Sequence, residues 1–295
     1  MKKRPILLAA LTIAGIFLVF LLFAVLLGKT GSSPDLVSIG EKIGVIEVLG
    51  PIMTSEDLIR NIIEFRDNNS VKAVILRIDS PGGSVGPSQE IYNEVVKLQK
   101  IKPVVVSMGS VTASGGYYIA APAKRLFANP GSITGSIGVI MSFPNYEGLM
   151  EKVGVSSVVV KSGKFKDIGS ASRPFGDDER KLMQALIDDV HSQFVEAVSL
   201  GREMPAEKVR EISDGRIFSG RQALSVGLID ELGGFQDAVD YTAKLAGLDD
   251  DPKLIYPEVE KPGLLERIIK SSLGDIAFEA RQYRNVGLQY LWTGI

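Results

Sequence analysis

Ser114 stands in the stretch TASGGYYIA (residues 112–120) and is followed at once by two glycines. Glycine lacks a Cβ and reaches backbone conformations closed to other residues. A serine on so bare a piece of chain is either part of a plain turn or a nucleophile presented at the start of a helix. A second glycine-rich stretch, DSPGGS (79–84), follows the apolar run VKAVILRID (71–79). The N–H of Gly82 or Gly83 in this loop, and that of Gly115 beside the serine, can face an oxygen on which negative charge develops during acyl transfer. Such preorganised donors usually supply one of the largest catalytic terms. A hydroxyl nucleophile also needs a base.

Composition narrows the choice of base. The 295 residues contain no cysteine and one histidine, His191. Thiol chemistry, disulfide frameworks and zinc sites built on cysteine or on several histidines are therefore excluded. His191 lies in KLMQALIDDVHSQFVEAVSL (181–200), where apolar residues recur at helical spacing. A lone histidine there is ordinarily a surface or partly packed helix residue, so the base is expected to be a lysine or a carboxylate. KSGKFKDIGS (161–170) brings Lys161, Lys164 and Lys166 close together, although surface lysines are ordinarily solvated charges. With 33 basic against 35 acidic residues, the chain has no electrostatic footprint for nucleic acid.

The elements that must position these groups alternate. KIGVIEVLGPI (42–52) reads as a strand and turn, and SEDLIRNIIEFRDNN (55–69) as an amphipathic helix with acidic residues in its first turn. A strand at 71–79, a loop at 80–88, a helix at 89–101 and a strand at 102–109 follow. Ser110–Gly116 reads as a loop and YYIAAPAKR as the helix after it. The pattern predicts an α/β fold with a parallel sheet and flanking helices, whose site lies at the carboxyl ends of the strands. Residues 125–141 predict two short strands around a Gly/Ser/Pro loop, 156–170 a strand running into a polar loop, and 177–202 a long amphipathic helix. From Asp249 the chain is interrupted by prolines, then amphipathic, and ends on the aromatic YLWTGI.

At the N-terminus, Lys2, Lys3 and Arg4 precede an uncharged run from Pro5 to Gly28. About 20 apolar residues span a hydrocarbon core, whereas the apolar region of a cleavable signal peptide has about 7–15. The expectation is one N-terminal transmembrane helix, with the N-terminus in the cytoplasm and the catalytic domain outside. A long signal peptide cut near Gly31–Ser33 is the alternative. The predicted organisation is a cytoplasmic N-terminus and anchor at 1–28, a tether at 29–40, a catalytic domain at 41–248 and an amphipathic extension at 249–295.

TASGGYYIA, DSPGGS, ITGSIGVI, KSGKFKDIGS and DGRIFSGRQALSVGLIDELGG occur in this order and together resemble the signal peptide peptidase A family in its short form. The resemblance covers roughly residues 40–245. It implies a fold like that of the Clp protease and crotonase group, and a membrane-anchored serine endopeptidase that uses a Ser–Lys dyad without a cofactor. Ser114 would then be the nucleophile, Lys166 the general base and Ser136 a helper serine hydrogen-bonded to the lysine amine. Gly83 and Gly115 would be the oxyanion donors, with Gly82 an alternative to Gly83. A base lysine has to be neutral, so the side chain of Asp167 is expected to turn away from the amine. The family also implies signal-peptide remnants as substrate, and a homo-oligomer, an octamer in short members, whose serine and lysine come from adjacent chains. A stomatin-associated membrane serine protease and a crotonase-like acyl-CoA enzyme are the alternatives. The membrane span speaks against the second, because coenzyme A is a cytoplasmic substrate.

Overall fold

In the computed structural model the described residues are Gly15, Ile16, Leu18 and Val19, residues 41–258 and residues 287–294. The predicted anchor, apart from those four residues, lies outside this set, as do the tether and the amphipathic part of the extension. Among the described residues no helix is long and apolar enough to cross a membrane. The chain divides into two units, Met1–Gly40 and Glu41–Ile295.

The second unit begins with β1 (Lys42–Leu49), α1 (Glu56–Asp67), β2 (Val71–Ser80), β3 (Gly82–Ser84), α2 (Val85–Gln99) and β4 (Val104–Ala113). There follow α3 (Gly115–Ala120), β5 (Arg125–Ala128), β6 (Ile133–Gly135), α4 (Glu147–Lys152), α5 (Asp177–Gly201) and α6 (Ala206–Glu211). Then come β7 (Ile217–Ser219), α7 (Gly220–Val226), β8 (Glu231–Leu232), α8 (Phe235–Ala246), β9 (Lys253–Ile255) and β10 (Gln289–Leu291). One sheet runs in the order β7-β6-β4-β2-β1-β9, with β5 on β4 and β8 on β5. All its pairings are parallel except β6 with β7. A mixed α/β architecture with a mainly parallel, helix-flanked sheet is what the alternating pattern predicts.

The central strands β2 and β4 are buried along almost their whole length, as expected when helices cover both faces. One face packs against α1, α2, α3 and α5, through Ile62, Phe65, Ile91, Val95, Ile119 and Phe194. The other packs against α8 through Ala238, Val239 and Ala243. Close approach of α1 to β1 requires Gly44, where an added Cβ would lie 2.4 Å from the ring of Phe65.

Several local expectations differ from the structure; the stretch 80–88, read as a loop, forms β3 and the first turn of α2. β4 runs on to Ala113, although Ser110–Gly116 reads as a loop. Its edge is shared, β5 pairing with Val105–Ser107 and β6 with Val111–Ala113, so the ladder continues up to the serine. Residues 156–160, expected to start a strand, join no strand among the described residues; Val158 and Val160 are 88% and 96% exposed. β-branched residues favour a pleated surface only where a neighbouring strand supplies partners. Beyond residue 248, β9 joins the sheet beside β1 and β10 returns to pair with β3.

Candidate active site

Ser114 occupies the junction between β4 and α3. It has φ 53° and ψ −117°, and only 1% of its surface is exposed. Its N–H donates to the Gly135 carbonyl at 2.8 Å, and its own carbonyl accepts from the Tyr118 N–H at 2.8 Å. Sharp strand-to-helix turns of this kind present nucleophilic serines in α/β-hydrolase folds. A side-chain-bearing residue held at positive φ costs about 1–3 kcal/mol and persists only where its surroundings impose it. The two following glycines admit that turn. An added Cβ on Gly115 would lie 2.8 Å from Ser88 Oγ and 3.1 Å from the Gly83 nitrogen, and one on Gly116 would lie 2.9 Å from the Ser80 carbonyl oxygen.

Ser136 has the same strained backbone, with φ 51°, and is nearly buried. Among the described residues the only other non-glycine at positive φ is Glu203. Ala113 and Gly135 are paired across β4 and β6, so Ser114 and Ser136 leave neighbouring parallel strands at matching height. The structure thus brings these two serines together.

The DSPGGS loop forms β3, and its two edges have different partners. Toward one side, the Ile52 N–H donates to the Gly82 carbonyl and the Ser84 N–H to the Ile52 carbonyl, both at 2.8 Å. Gly82, at φ +99°, turns its own N–H to Ser80 Oγ at 3.1 Å. Toward the other side, β3 pairs antiparallel with β10, Gly83 opposite Tyr290. The Val85 N–H donates to the Leu288 carbonyl at 3.3 Å and the Trp292 N–H to the Pro81 carbonyl at 2.9 Å. Hydrogen-bonded pairs recur every second residue in such a ladder. The Gly83–Tyr290 pair falls between these two, and so the Gly83 N–H meets the Tyr290 carbonyl. That carbonyl oxygen is also 3.1 Å from the point where a Gly115 Cβ would sit. A backbone carbonyl of this chain therefore lies against the pair of glycines expected to donate.

The other edge of β10 is occupied too, since Ile140 and Gln289 exchange N–H to carbonyl bonds at 3.1 and 3.2 Å. The Tyr290 ring is fully buried, stacked on Tyr118 at 5.0 Å and tilted against Phe194 at 4.6 Å; its hydroxyl donates to the Val190 carbonyl at 3.2 Å. Tyr92 packs on Tyr118 from α2. Burial pushes the Tyr118 phenol up to about 12, so the pocket wall stays uncharged. Sequence reasoning missed this aromatic pocket. Its only signals were the tyrosine pair after Gly116 and the aromatic end of the chain, which nothing local relates to one another.

Lys166 is placed differently. It lies exposed in the turns spanning 161–169, its N–H donating to the Gly163 carbonyl at 3.2 Å. Among the described residues no hydrogen bond or ion pair joins its amine to Ser114 or Ser136. The Asp167 carboxylate is turned to Arg173 Nε at 3.0 Å and to the Lys161 amine. These two cations, Arg173 foremost, hold Asp167 well below the usual carboxylate range. His191 sits on α5 with Nε2 donating to the Ser213 carbonyl at 2.7 Å, so that nitrogen has no free lone pair to take a proton from a serine.

The crowding around Gly82 makes a sharp prediction. A Cβ there would lie 2.1 Å from the Tyr290 carbonyl oxygen and 2.6 Å from the Gly115 nitrogen. Gly82→Ala is expected to displace one or both backbone donors and to lower kcat/KM by about 100-fold or more, the effect of losing one oxyanion contact. Peptide hydrolysis measured beside a melting curve checks this. A variant that melts normally and cleaves normally would show that the loop does not face the reaction.

The family model for peptidase family S49 matches residues 96–249, and that for the Clp protease matches residues 43–133. A protease-named protein of Synechocystis sp. is 46% identical over 235 residues, covering 79% of this chain and 84% of its own length. A protease-named protein of the archaeon Methanocaldococcus jannaschii is 34% identical, covering 90% and 89%. An Enterococcus faecium protein named as a signal peptide peptidase SppA is 38% identical, covering 68% of this chain and 59% of its own length.

Proposed function

The chain belongs to peptidase family S49, the signal peptide peptidase A family, and is a serine endopeptidase; on that premise we propose that it cleaves extended apolar peptides with a Ser114–Lys166 dyad completed across two protomers. The observation that carries this reading is the strained, nearly buried Ser114 beside Gly83 and Gly115, with a peptide strand already paired along the same edge.

A substrate strand lies where β10 lies, pairing antiparallel with Gly82–Ser84. Its backbone is positioned by the ladder and its side chains are selected by pockets, the ordinary division of labour in strand addition. The residue whose carbonyl reaches Gly83 and Gly115 places its side chain among Tyr118, Phe194 and Val190, so a large apolar or aromatic residue is favoured there. Ser114 Oγ attacks that carbonyl carbon, and its proton passes to the neutral amine of Lys166. The Gly83 and Gly115 N–H groups hold the oxyanion. The tetrahedral intermediate collapses as the C–N bond breaks and the lysine returns the proton to the departing amine. Water then hydrolyses the acyl-serine with the same lysine as base. Ser136, beside Ser114, hydrogen-bonds the amine and keeps it directed at the nucleophile.

The exposure of Lys166 in a single chain supports a dyad shared between protomers, as in the octameric short members of the family. The uncharged run from Pro5 to Gly28 supports a membrane anchor with the protease domain outside the cell membrane, where signal-peptide remnants lie.

A lysine titrates ordinarily near 10.4, and burial lowers an amine by up to about 3–5 units. A base that acts only when deprotonated loses activity as pH falls through its pKa. The assembled enzyme is therefore expected to work best on the alkaline side of neutral. The test is a pH profile on an apolar fluorogenic peptide, with the acyl-enzyme trapped on Ser114 and located by mass spectrometry. An acidic limb below about pH 5, or acylation elsewhere, would overturn the reading.

A further inference from the structure

We infer that Arg173 is a positioning residue for Lys166: it clamps the Lys166 turn to the start of α5 and, with Lys161, holds both oxygens of the Asp167 carboxylate, turning it to these two cations rather than to the Lys166 amine. This rests on the proposed role of Lys166 as the base.

Arg173 uses its whole donor fork. Nε donates to Asp167 Oδ2 at 3.0 Å and Nη2 to the Asp167 carbonyl at 3.1 Å. Nη1 and Nη2 donate to the two Glu179 oxygens at 2.9 and 2.5 Å, and Nη1 also reaches the Pro174 carbonyl at 3.1 Å. Glu179 is nearly buried in the first turn of α5, where it also accepts the Gly176 N–H at 2.9 Å. The residue next to Lys166 is thus held by its backbone and by its side chain, from a helix anchored in the core. A planar guanidinium can bridge two carboxylates in this way and an ammonium cannot. The Lys161 amine takes the remaining Asp167 oxygen and the Lys164 carbonyl, the latter at 3.1 Å, while Lys164 pairs with Asp178 at 2.5 Å.

The arrangement has an electrostatic consequence for the neighbouring amine. A carboxylate within about 4–6 Å of an amine favours its charged form. Asp167 is the residue next to Lys166 in the chain, and its carboxylate, once released from these cations, can hold that amine as ammonium. The charged groups of the packed elements are Lys161, Lys164 and Asp167 from the turns, Arg173 from the connection, and Asp177, Asp178, Glu179 and Arg180 from α5. Of the acids, Asp167 and Glu179 are committed to Arg173, and Asp178 to Lys164. A network that only stabilised the loop would have no reason to alter the protonation of Lys166.

The test uses the full-length assembled enzyme and pH profiles of kcat/KM. Arg173→Gln is expected to move the acidic limb up by about one pH unit and to lower the plateau about tenfold. Adding Asp167→Asn should return the limb to its wild-type position while the plateau stays low. Lys161→Gln frees the other Asp167 oxygen and leaves the Arg173 fork in place. It should shift the limb in the same direction by a smaller amount, again reversed by Asp167→Asn, and it serves if Arg173→Gln fails to assemble. Limbs that stay put in both charge-removing variants, or shifts that Asp167→Asn does not reverse, overturn the inference. Lys166→Ala is run in parallel. Full activity there defeats the dyad itself, whereas an inactive Lys166→Ala with unmoved limbs defeats only the role of Arg173.

Discussion

Replacing Ser114 with alanine is expected to lower kcat/KM by about 10,000-fold or more, and Lys166→Ala by a comparable amount, because members of a catalytic unit fail together rather than additively. Each variant alone should be inactive for a different reason. Ser114→Ala lacks the atom that bonds to the substrate carbon; Lys166→Ala keeps it but has nothing to accept its proton. Assembling the two variants together is the more telling measurement. In a closed ring built from one repeated head-to-tail contact, each site takes its serine from one chain and its lysine from the next. An equal mixture then regains about one quarter of wild-type activity, since half the serines and half the lysines are intact and they combine independently. A dyad within one chain regains nothing. The structure motivates the mixing experiment directly: Ser114 is nearly buried at the end of β4, whereas Lys166 is exposed on turns whose described bonds lead to α5. Full activity in either single variant would end the Ser–Lys mechanism, and a mixture with no recovery would return both residues to the same protomer.

Deleting residues 287–295 is expected to lower KM for an apolar peptide by about tenfold with kcat nearly unchanged. β10 holds both edges of the groove, bonded to β3 and to Ile140, and Tyr290 fills the aromatic pocket. A tethered strand competes at an effective concentration in the millimolar range, well above that of a dilute substrate. Removing it leaves Ser114, Gly83 and Gly115 in place, so the chemical step should not change. Tyr290→Ala should act in the same direction, because losing a buried aromatic ring weakens docking by about 3–5 kcal/mol. A melting curve for each variant separates an emptied groove from a damaged core. An unchanged KM in a well-folded truncated enzyme would show that substrate does not follow the path of β10.

Several features of the candidate site were readable along the chain because they are local. The double glycines at 82–83 and 115–116 signalled backbone conformations closed to other residues; Gly82 takes φ +99° and Ser114, next to Gly115, takes φ 53°. The alternation of apolar runs and amphipathic segments predicted the parallel sheet, because burial on both faces of a strand and on one face of a helix leaves a periodic trace. The absence of cysteine and the single histidine, which bonds to Ser213, narrowed the choice of base by composition alone.

Other features depend on register and long-range packing. Nothing in TASGG or ITGSIG states that Ala113 and Gly135 pair, yet that pairing sets Ser114 beside Ser136. The strand expected from residue 156 finds no partner among the described residues, so β-branched composition misled there. The aromatic tail offered no local clue that Tyr290 would reach Tyr118 and Gly83, more than 170 positions earlier. The sequence by itself determined which groups are available and which backbone can bend to present them, because those are properties of single residues and short spans. Only the tertiary structure decided which of them meet, because hydrogen-bond register and the closing of a core are settled between segments that share no local signal.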